Sequence, residues 1–244
     1  MPVFWKTLKK SFAYSYEYLG LTIISSSLAT SIALVFLTLL RLTAIGKYPP
    51  YFFIGVLILY IFLICPIIAG ACAVSRKIVI KDDPSPRDIF SASREYLFPA
   101  WKLGFIQAVT TMTLLIVIWF YFAHGGVVFM IAGIVFAYVM LFWILSTIYH
   151  FPILIEQRPG TFVVIKRGFL LLMDNVAFTV GLFFVIILFA CICAATFVGL
   201  ALLYLGVFSM LTTRMTRVLF QKYGLIEPEV EPEIVEDNGF PKIS

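Results

Sequence analysis

Charged side chains are scarce in this chain, and their scarcity excludes most soluble folds. Only 13% of the 244 residues are charged, whereas 62% are hydrophobic and the mean hydropathy is +1.03. Soluble domains carry about 25% charged residues, so this composition cannot cover a globular protein with a water-exposed surface. Lipid is therefore the expected solvent for most of the chain.

Side chains that perform chemistry are also few. The sequence contains no glycine-rich phosphate loop, nucleophile elbow or HExxH motif, and its two histidines, His124 and His150, are too far apart in sequence to suggest a metal site or an acid–base pair. We predict that the protein is not an enzyme, needs no cofactor or metal and binds no nucleic acid. The cysteines lie inside apolar runs without a metal-binding spacing, which indicates small buried residues: Cys65, Cys72, Cys191 and Cys193.

Long apolar runs are what the sequence has in abundance. A membrane-spanning helix needs about 20 apolar residues, and the runs cover residues 19–40, 51–74, 103–123, 127–149 and 176–212. The His124-Gly125-Gly126 tripeptide between the third and fourth runs favours a tight turn. The last run is too long for one ordinary span, and we predict that it holds two short spans that turn near residues 196–199.

Basic residues predict the orientation, because Lys and Arg favour the cytoplasmic side. They cluster before the first span, in residues 75–102, in residues 150–175 and after residue 212, whereas Arg41 and Lys47 would face the other side. An even number of crossings must then separate residues 150–175 from residues 213–224. The predicted fold is an all-α membrane protein, a six-span helical bundle with both termini cytoplasmic.

Residues 161–175, TFVVIKRGFLLLMDN, are apolar at both ends but are not expected to cross. Crossing would place Lys166 and Arg167 inside the bilayer at about 2.5–3.5 kcal/mol each. We predict an interfacial helix with Thr161 as its N-cap. Its two basic side chains would face the lipid headgroups, and Phe162, Ile165, Phe169 and Leu172 would face inward.

Similar basic and aromatic segments precede the first and third spans. In residues 85–104, Ser85 is suited to cap a helix, with Pro86 in the first helical position and Asp88 as the capping partner, and Pro99 is expected to bend the chain into the span. The pattern suggests three repeats of an interfacial amphipathic helix plus a transmembrane hairpin; ordinary basic loops beside spans are the alternative. The residues expected at the membrane interface are Lys9, Lys10, Arg94, Trp101, Lys166 and Arg167.

Small residues in the spans predict where helices approach closely. Packing inside one bundle is the simpler interpretation, and a partner helix is the alternative. The candidate packing residues are Ser26, Ala29, Ala33, Pro66, Gly70, Ala73, Gly133, Ala137 and Ala195.

The predicted spans have no charged residue in their middles, which argues against an ion-coupled pump. Gln107, Thr110 and Thr111 are the most polar points of the third span. Hydrogen bonds between helices are their expected role, and a polar cavity is the alternative.

The C-terminal segment differs from everything before it. We predict two regions, a six-span transmembrane domain in residues 1–224 and a disordered acidic cytoplasmic tail in residues 225–244. The tail holds six acidic residues, and residues 1–224 carry 17 basic and 7 acidic side chains. The basic cytoplasmic face is therefore expected to contact anionic lipid.

Three segments together resemble a known family. CPIIAGACAVSRK (65–77), RDIFSASREYLFPAWKLGF (87–105) and IYHFPILIEQRPGTFVVIKRGFLLLMDN (148–175) are similar to motifs of the YesL family, and the likeness covers about residues 5–222. Cys65-Pro66 departs from the family pattern, in which a Gly or Thr is expected nearby. The resemblance implies a multi-pass protein of the bacterial cytoplasmic (inner) membrane, without an established activity, encoded near carbohydrate-uptake systems.

The leading functional expectation is a membrane accessory or interaction module that works with a carbohydrate uptake system and binds a membrane transporter. The alternative is a small passive transporter or channel for a neutral solute or lipid, assembled as a homo-oligomer. A third hypothesis is that the protein binds lipid or shapes the bilayer. A conduit would require the polar residues of the first and third spans to converge on one water-filled path.

Overall fold

The computed structural model describes residues 2–45, 49, 51–196 and 198–226. This part of the chain is almost entirely helical and contains no strand, so the all-α prediction is confirmed. The helices are α1 (Pro2–Glu17), α2 (Leu19–Ala44), α3 (Tyr51–Val79), α4 (Pro86–Glu95), α5 (Leu97–His124), α6 (Val127–Gln157), α7 (Thr161–Asp174), α8 (Val176–Thr196), α9 (Val198–Leu202) and α10 (Tyr204–Lys222).

Five helices in the described part are long and apolar enough to cross a membrane, as expected for a multi-pass membrane protein. They cover Leu19–Leu42, Ile54–Val79, Leu97–His124, Val127–Gln157 and Val176–Thr196. The predicted turn after His124 is confirmed, because α5 ends there and α6 begins at Val127. Gly125 and Gly126 have φ angles of 64° and 88°, which residues other than glycine rarely adopt.

The predicted sixth span is not among the candidate spans of the described residues. Helix α8 ends at Thr196, close to the predicted turn, and the short α9 and then α10 follow. Helix α10 is mixed in polarity and is not among the helices apolar enough to count as a candidate span. Its polar side chains are tolerated because neighbouring helices enclose it, so lipid does not meet them.

Helices α3, α6 and α10 form the centre of the molecule and contact one another. Helices α2, α5 and α8 lie outside them. Each of these outer helices packs on the inner helix or inner segment that follows it in sequence. Each also packs on a second inner helix. The short helices take corresponding places: α1 packs on α10, α4 on α3 and α7 on α6. One order of contacts therefore recurs three times.

Each short helix is separated from the following outer helix by a single residue. These residues are Tyr18, Tyr96 and Asn175. Pro99 was expected to bend the chain, but the break lies three residues earlier, and Pro99 occupies the first turn of α5. Proline is accommodated there because the first N–H groups of a helix have no intrahelical acceptor.

The predicted capping box at the start of α4 is confirmed. The Ser85 side chain accepts a hydrogen bond from the Arg87 N–H at 3.4 Å, and Asp88 Oδ2 accepts one from the Ser85 N–H at 2.8 Å. That backbone N–H, followed by nearby Lys77, lowers the pKa of Asp88. At α7 the prediction was wrong by one residue: Gly160 is the N-cap, Thr161 is the first helical residue and no side chain caps the helix.

Candidate functional site

Helix α10 carries a run of polar side chains through the centre of the molecule. Its serine and threonine hydroxyls are satisfied mainly within the helix: Thr212 donates to the Phe208 carbonyl at 2.9 Å and Thr216 to the Thr212 carbonyl at 2.7 Å. The Ser209 hydroxyl also lies 3.0 Å from that of Ser75 on α3. The arginine side chains of α10 are not satisfied by carbonyls of their own helix in this way, so they need partners on other helices.

An ionic junction joins the ends of the three inner helices. Glu156 of α6 accepts from Arg217 Nη1 of α10 at 2.6 Å through Oε1, and it lies 3.0 Å from Arg76 Nε of α3 through Oε2. The Glu156 side chain is 6% exposed and that of Arg217 is 9% exposed. The Arg76 side chain is 36% exposed and keeps contact with solvent. Removal of Glu156 is costly because Arg217 would remain charged in a poorly solvating environment.

Arg214, one turn before Arg217, is held differently. It is 5% exposed, and its guanidinium carbon lies 4.7 Å from the ring centroid of Tyr14 on α1. Leu8 of α1 belongs to the same apolar cluster as Leu211 and Met215. A cation–π contact and apolar packing therefore hold α1 against α10.

Exposed ion pairs surround the junction. Lys77 lies 3.2 Å from Asp88, and Arg158 lies 2.6 Å from Glu95 and over the ring of Tyr96. These pairs connect α4 to the ends of α3 and α6, but exposed pairs contribute little to stability.

His150, Glu156 and Arg158 lie close together in sequence, but the structure divides them among three partnerships. Glu156 belongs to the junction and Arg158 pairs with Glu95. His150 is wholly buried and accepts a hydrogen bond at Nδ1 from Gln107 Nε2 at 2.8 Å.

The polar residues of the third predicted span hydrogen-bond to α6. Besides the Gln107–His150 bond, Trp143 Nε1 donates to Thr111 Oγ1 at 3.0 Å, and Thr110 is partly buried. The polar residues of α2 contact a different helix, since Ser26 Oγ accepts from the Gly206 N–H of α10 at 2.9 Å. The two sets therefore hydrogen-bond to different helices.

The candidate packing residues fall into two groups. Ser26, Ala29, Pro66, Gly70 and Gly133 are buried, and Ala33 and Ala73 are partly buried. Ala137 and Ala195 are exposed rather than buried between helices, which corrects any assignment of them to packing inside this chain.

Gly70 shows why a small residue is required at one of these contacts. A Cβ added there would lie 2.6 Å from the Ile89 carbonyl oxygen and 2.3 Å from Ser93 Oγ, both on α4. The contact between α3 and α4 therefore depends on the missing side chain. At Gly133 a Cβ would lie 3.2 Å from the Phe122 ring, which is a tighter approach than usual.

The residues expected at the membrane interface differ in exposure. Lys9, Arg94 and Lys166 are exposed; Lys10, Trp101 and Arg167 are partly buried. Arg167 Nη1 donates to Gln157 Oε1, so this side chain secures α7 to the end of α6.

The predicted inward face of helix α7 is confirmed at Leu172, which is buried, and is wrong at Phe162, which is 80% exposed. Ile165 and Phe169 are partly buried. Val164, Gly168 and Leu171 are also buried. Their spacing of four and three residues places them on one side of the helix. Gly168 lies against His150, where a Cβ would be 2.6 Å from the ring.

The ionic junction is the feature that reading the sequence missed. Arg214 and Arg217 were assigned to a cytoplasmic loop after residue 212, and Glu156 to another loop after the fourth span. The run SMLTTRMTRVLF (209–220) contained a signal, because polar and apolar residues alternate there with a helical period. The partners could not be identified, since they lie 61 and 141 residues away in sequence.

In the described part of the chain, no group of three or more His, Cys, Asp or Glu side chains is placed to hold a metal ion. Comparison of the whole chain with known protein families, with curated proteins and with solved structures gives no match.

Proposed function

We propose that this protein is a non-enzymatic accessory module that binds a membrane transporter, in a carbohydrate uptake system of the bacterial cytoplasmic membrane. The carbohydrate and bacterial parts of this proposal rest on the resemblance of residues 65–77, 87–105 and 148–175 to the YesL family. The interaction role has support in the geometry of α5 and α6.

The observation that carries the interaction role is the outer part of the α5–α6 hairpin. The buried residues of α5 are Ala100, Leu103 and Gly104, and those of α6 begin at Trp143 apart from Gly133. The intervening parts pack on each other, with the Tyr121 and Phe136 rings stacked at 5.4 Å.

This hairpin leaves large apolar side chains open on both helices. Ile116 is 63% exposed, Trp119 71% and Tyr138 62%. A hairpin that stands apart from the bundle offers most of its circumference to lipid or to the helices of another membrane protein. That surface suits a docking element better than it suits the wall of an internal path.

The separate hydrogen bonding of α2 and α5 also favours the accessory role over a conduit. Gln107 and Thr111 are engaged with α6, and Ser26 is engaged with α10. Polar side chains that bond across helix contacts in this way are part of the packing.

For the topology we propose that α9 and α10 together make the sixth crossing and that both termini lie on the cytoplasmic side. The recurring order of short helix, outer helix and inner helix supports three repeats, and the repeated contacts of α1, α4 and α7 with inner helices support them further.

Site-specific photo-crosslinking in the native host tests the interaction role. A photoreactive residue at Ile116 or at exposed Ala137 should link the protein to one defined membrane transporter, identified by mass spectrometry. The matched control is Ile192 on α8, which is 57% exposed. A carbohydrate permease captured from both hairpin positions but not from the control would support the proposal.

Equal products from all three positions, or products containing this chain alone, would contradict it. Solute flux assays in liposomes would then address the homo-oligomeric conduit.

A further inference from the structure

A large cavity lies outside the ionic junction. It has a volume of about 910 Å³ and lies between the first turns of α1 and α8 and the last turn of α10. Binding sites for small ligands commonly enclose about 300–1,000 Å³. The cavity is therefore large enough to hold a substantial part of a lipid.

The interior of this cavity is apolar. Phe4 is 9% exposed and meets Phe178 edge-on, with the ring centroids 5.3 Å apart. Val185 and Leu219 continue the apolar lining. Gly181 lies opposite Phe4, and a Cβ there would already be in contact with the Phe4 ring at 3.5 Å, so a larger side chain would enter the cavity.

Polar side chains line the other part of the cavity. Lys222 Nζ donates to Asn175 Oδ1 at 2.7 Å, and Asp174 is the neighbouring exposed carboxylate. Lys222 is exposed, so its ammonium group can donate to a further acceptor besides Asn175.

The position of the cavity in the fold indicates that its ligand comes from the membrane. Asn175 is the break between α7 and the membrane-spanning α8, and Lys222 ends α10. The polar part therefore lies where the chain enters the apolar layer, and the apolar part extends along α8. The headgroup and the acyl chain of a membrane lipid are arranged in the same order, with the headgroup at the interface and the acyl chain in the apolar layer.

We propose that this cavity binds one phospholipid with a zwitterionic, amine-bearing headgroup. Lys222 faces the phosphate, Asp174 faces the amine, and an acyl chain lies between Phe4, Phe178 and Val185. The polar part carries one cation and one anion, whereas the cytoplasmic surface as a whole is basic. This balance favours a zwitterion over an anionic lipid.

Native mass spectrometry of the full-length protein, purified in a mild detergent and titrated with phosphatidylethanolamine or phosphatidylglycerol, tests the site. We expect one tightly held phosphatidylethanolamine, bound about tenfold more strongly than phosphatidylglycerol. Gly181→Leu, which fills the cavity, should abolish this binding. Lys166→Glu changes an exposed lysine of α7 outside the cavity and should leave it unchanged.

Two further variants keep the proposal falsifiable if Gly181→Leu fails to fold. Asp174→Asn should reduce the preference for the ethanolamine headgroup without loss of total lipid binding, and Lys222→Glu should weaken binding of both lipids. Equal affinity for the two lipids in the unaltered protein would overturn the proposal, and so would binding that no cavity variant changes.

The segment that follows Ile226 is the competing occupant. If truncation after Ile226 were required before any lipid bound, the chain itself would fill the cavity and the proposal would be wrong. These measurements use purified protein and do not involve the α5–α6 surface, so their outcome is independent of the proposed transporter partner.

Discussion

Helix α6 passes through two environments, and the contrast between them explains much of this molecule. Its first part, in the outer hairpin, exposes Val128 at 78% and Ile131 at 58%. Its last part, residues 148–155, is buried among other helices and leads to Glu156 in the ionic junction. Both parts are apolar in sequence. Whether they meet lipid or protein depends on the neighbours that the fold provides.

The two environments place opposite demands on side chains. In the outer hairpin, exposed apolar groups are compatible with lipid and a polar group would need a partner. At the inner end, most charges and hydroxyls are accommodated because they are matched by a group on another helix or by a backbone carbonyl. Substitutions at the inner end should therefore affect stability far more than substitutions in the hairpin.

The largest loss of stability is expected from Glu156→Gln. The buried Arg217 would keep its charge without a carboxylate, which should reduce the free energy of unfolding in detergent by about 3–5 kcal/mol. The matched control is Glu95→Gln, because Glu95 pairs with Arg158 in an exposed position. Its expected cost is about 0–1 kcal/mol, and similar losses for the two variants would refute a special role for the buried junction.

A smaller loss is expected from Gly70→Ala. The added methyl group would press on the Ile89 carbonyl and displace α4, at a cost of about 1–3 kcal/mol. Gly55→Ala in the same helix is the control, since nothing lies within 4 Å of its Cβ position. Denaturation curves of the two variants should separate clearly, and their coincidence would show that the α3–α4 contact yields without cost.

Gln107→Leu should reduce the free energy of unfolding by a smaller amount. It removes the hydrogen bond to His150, and such bonds between membrane helices are worth about 0.6 kcal/mol on average and up to about 1.7. Thr113→Val is a suitable control because the Thr113 hydroxyl bonds to the Val109 carbonyl of its own helix. A more stable Gln107→Leu protein would indicate that the bond serves function rather than packing.

The smallest effect on stability is expected in the outer hairpin. Trp119→Ala removes a side chain that is 71% exposed, so the free energy of unfolding should change by less than about 0.5 kcal/mol. Under the proposed function the same variant should reduce crosslinking to the transporter partner. A large loss of stability in the isolated protein would mean that the hairpin packs within the molecule in a way that its exposure does not indicate.

Several parts of the fold followed from local sequence. The turn at Gly125 and Gly126 was predictable because few other residues adopt positive φ angles, and the Ser85–Asp88 capping box was predictable because its geometry is contained in four residues. Gln107 and Thr111 were correctly interpreted as candidates for hydrogen bonds between helices.

Other parts depended on contacts between distant segments. The inward face of α7 was misjudged at Phe162 because amphipathicity alone does not tell which apolar residues meet protein and which meet lipid. Arg214 and Arg217 were assigned to a loop because an arginine without a known partner is expected outside a span. The proposed acidic tail lies almost entirely outside the described residues, so that prediction stands as it was made.

By itself, the sequence determined that the chain is helical and embedded in a membrane, because hydrophobic length and the low charge content leave no other solvent for it. Only the tertiary structure decided that α3, α6 and α10 form the centre and that Glu156 joins Arg76 and Arg217. Whether a segment is buried in the membrane depends on its own hydrophobic composition, whereas the pairing of buried charges depends on which distant helices are brought together.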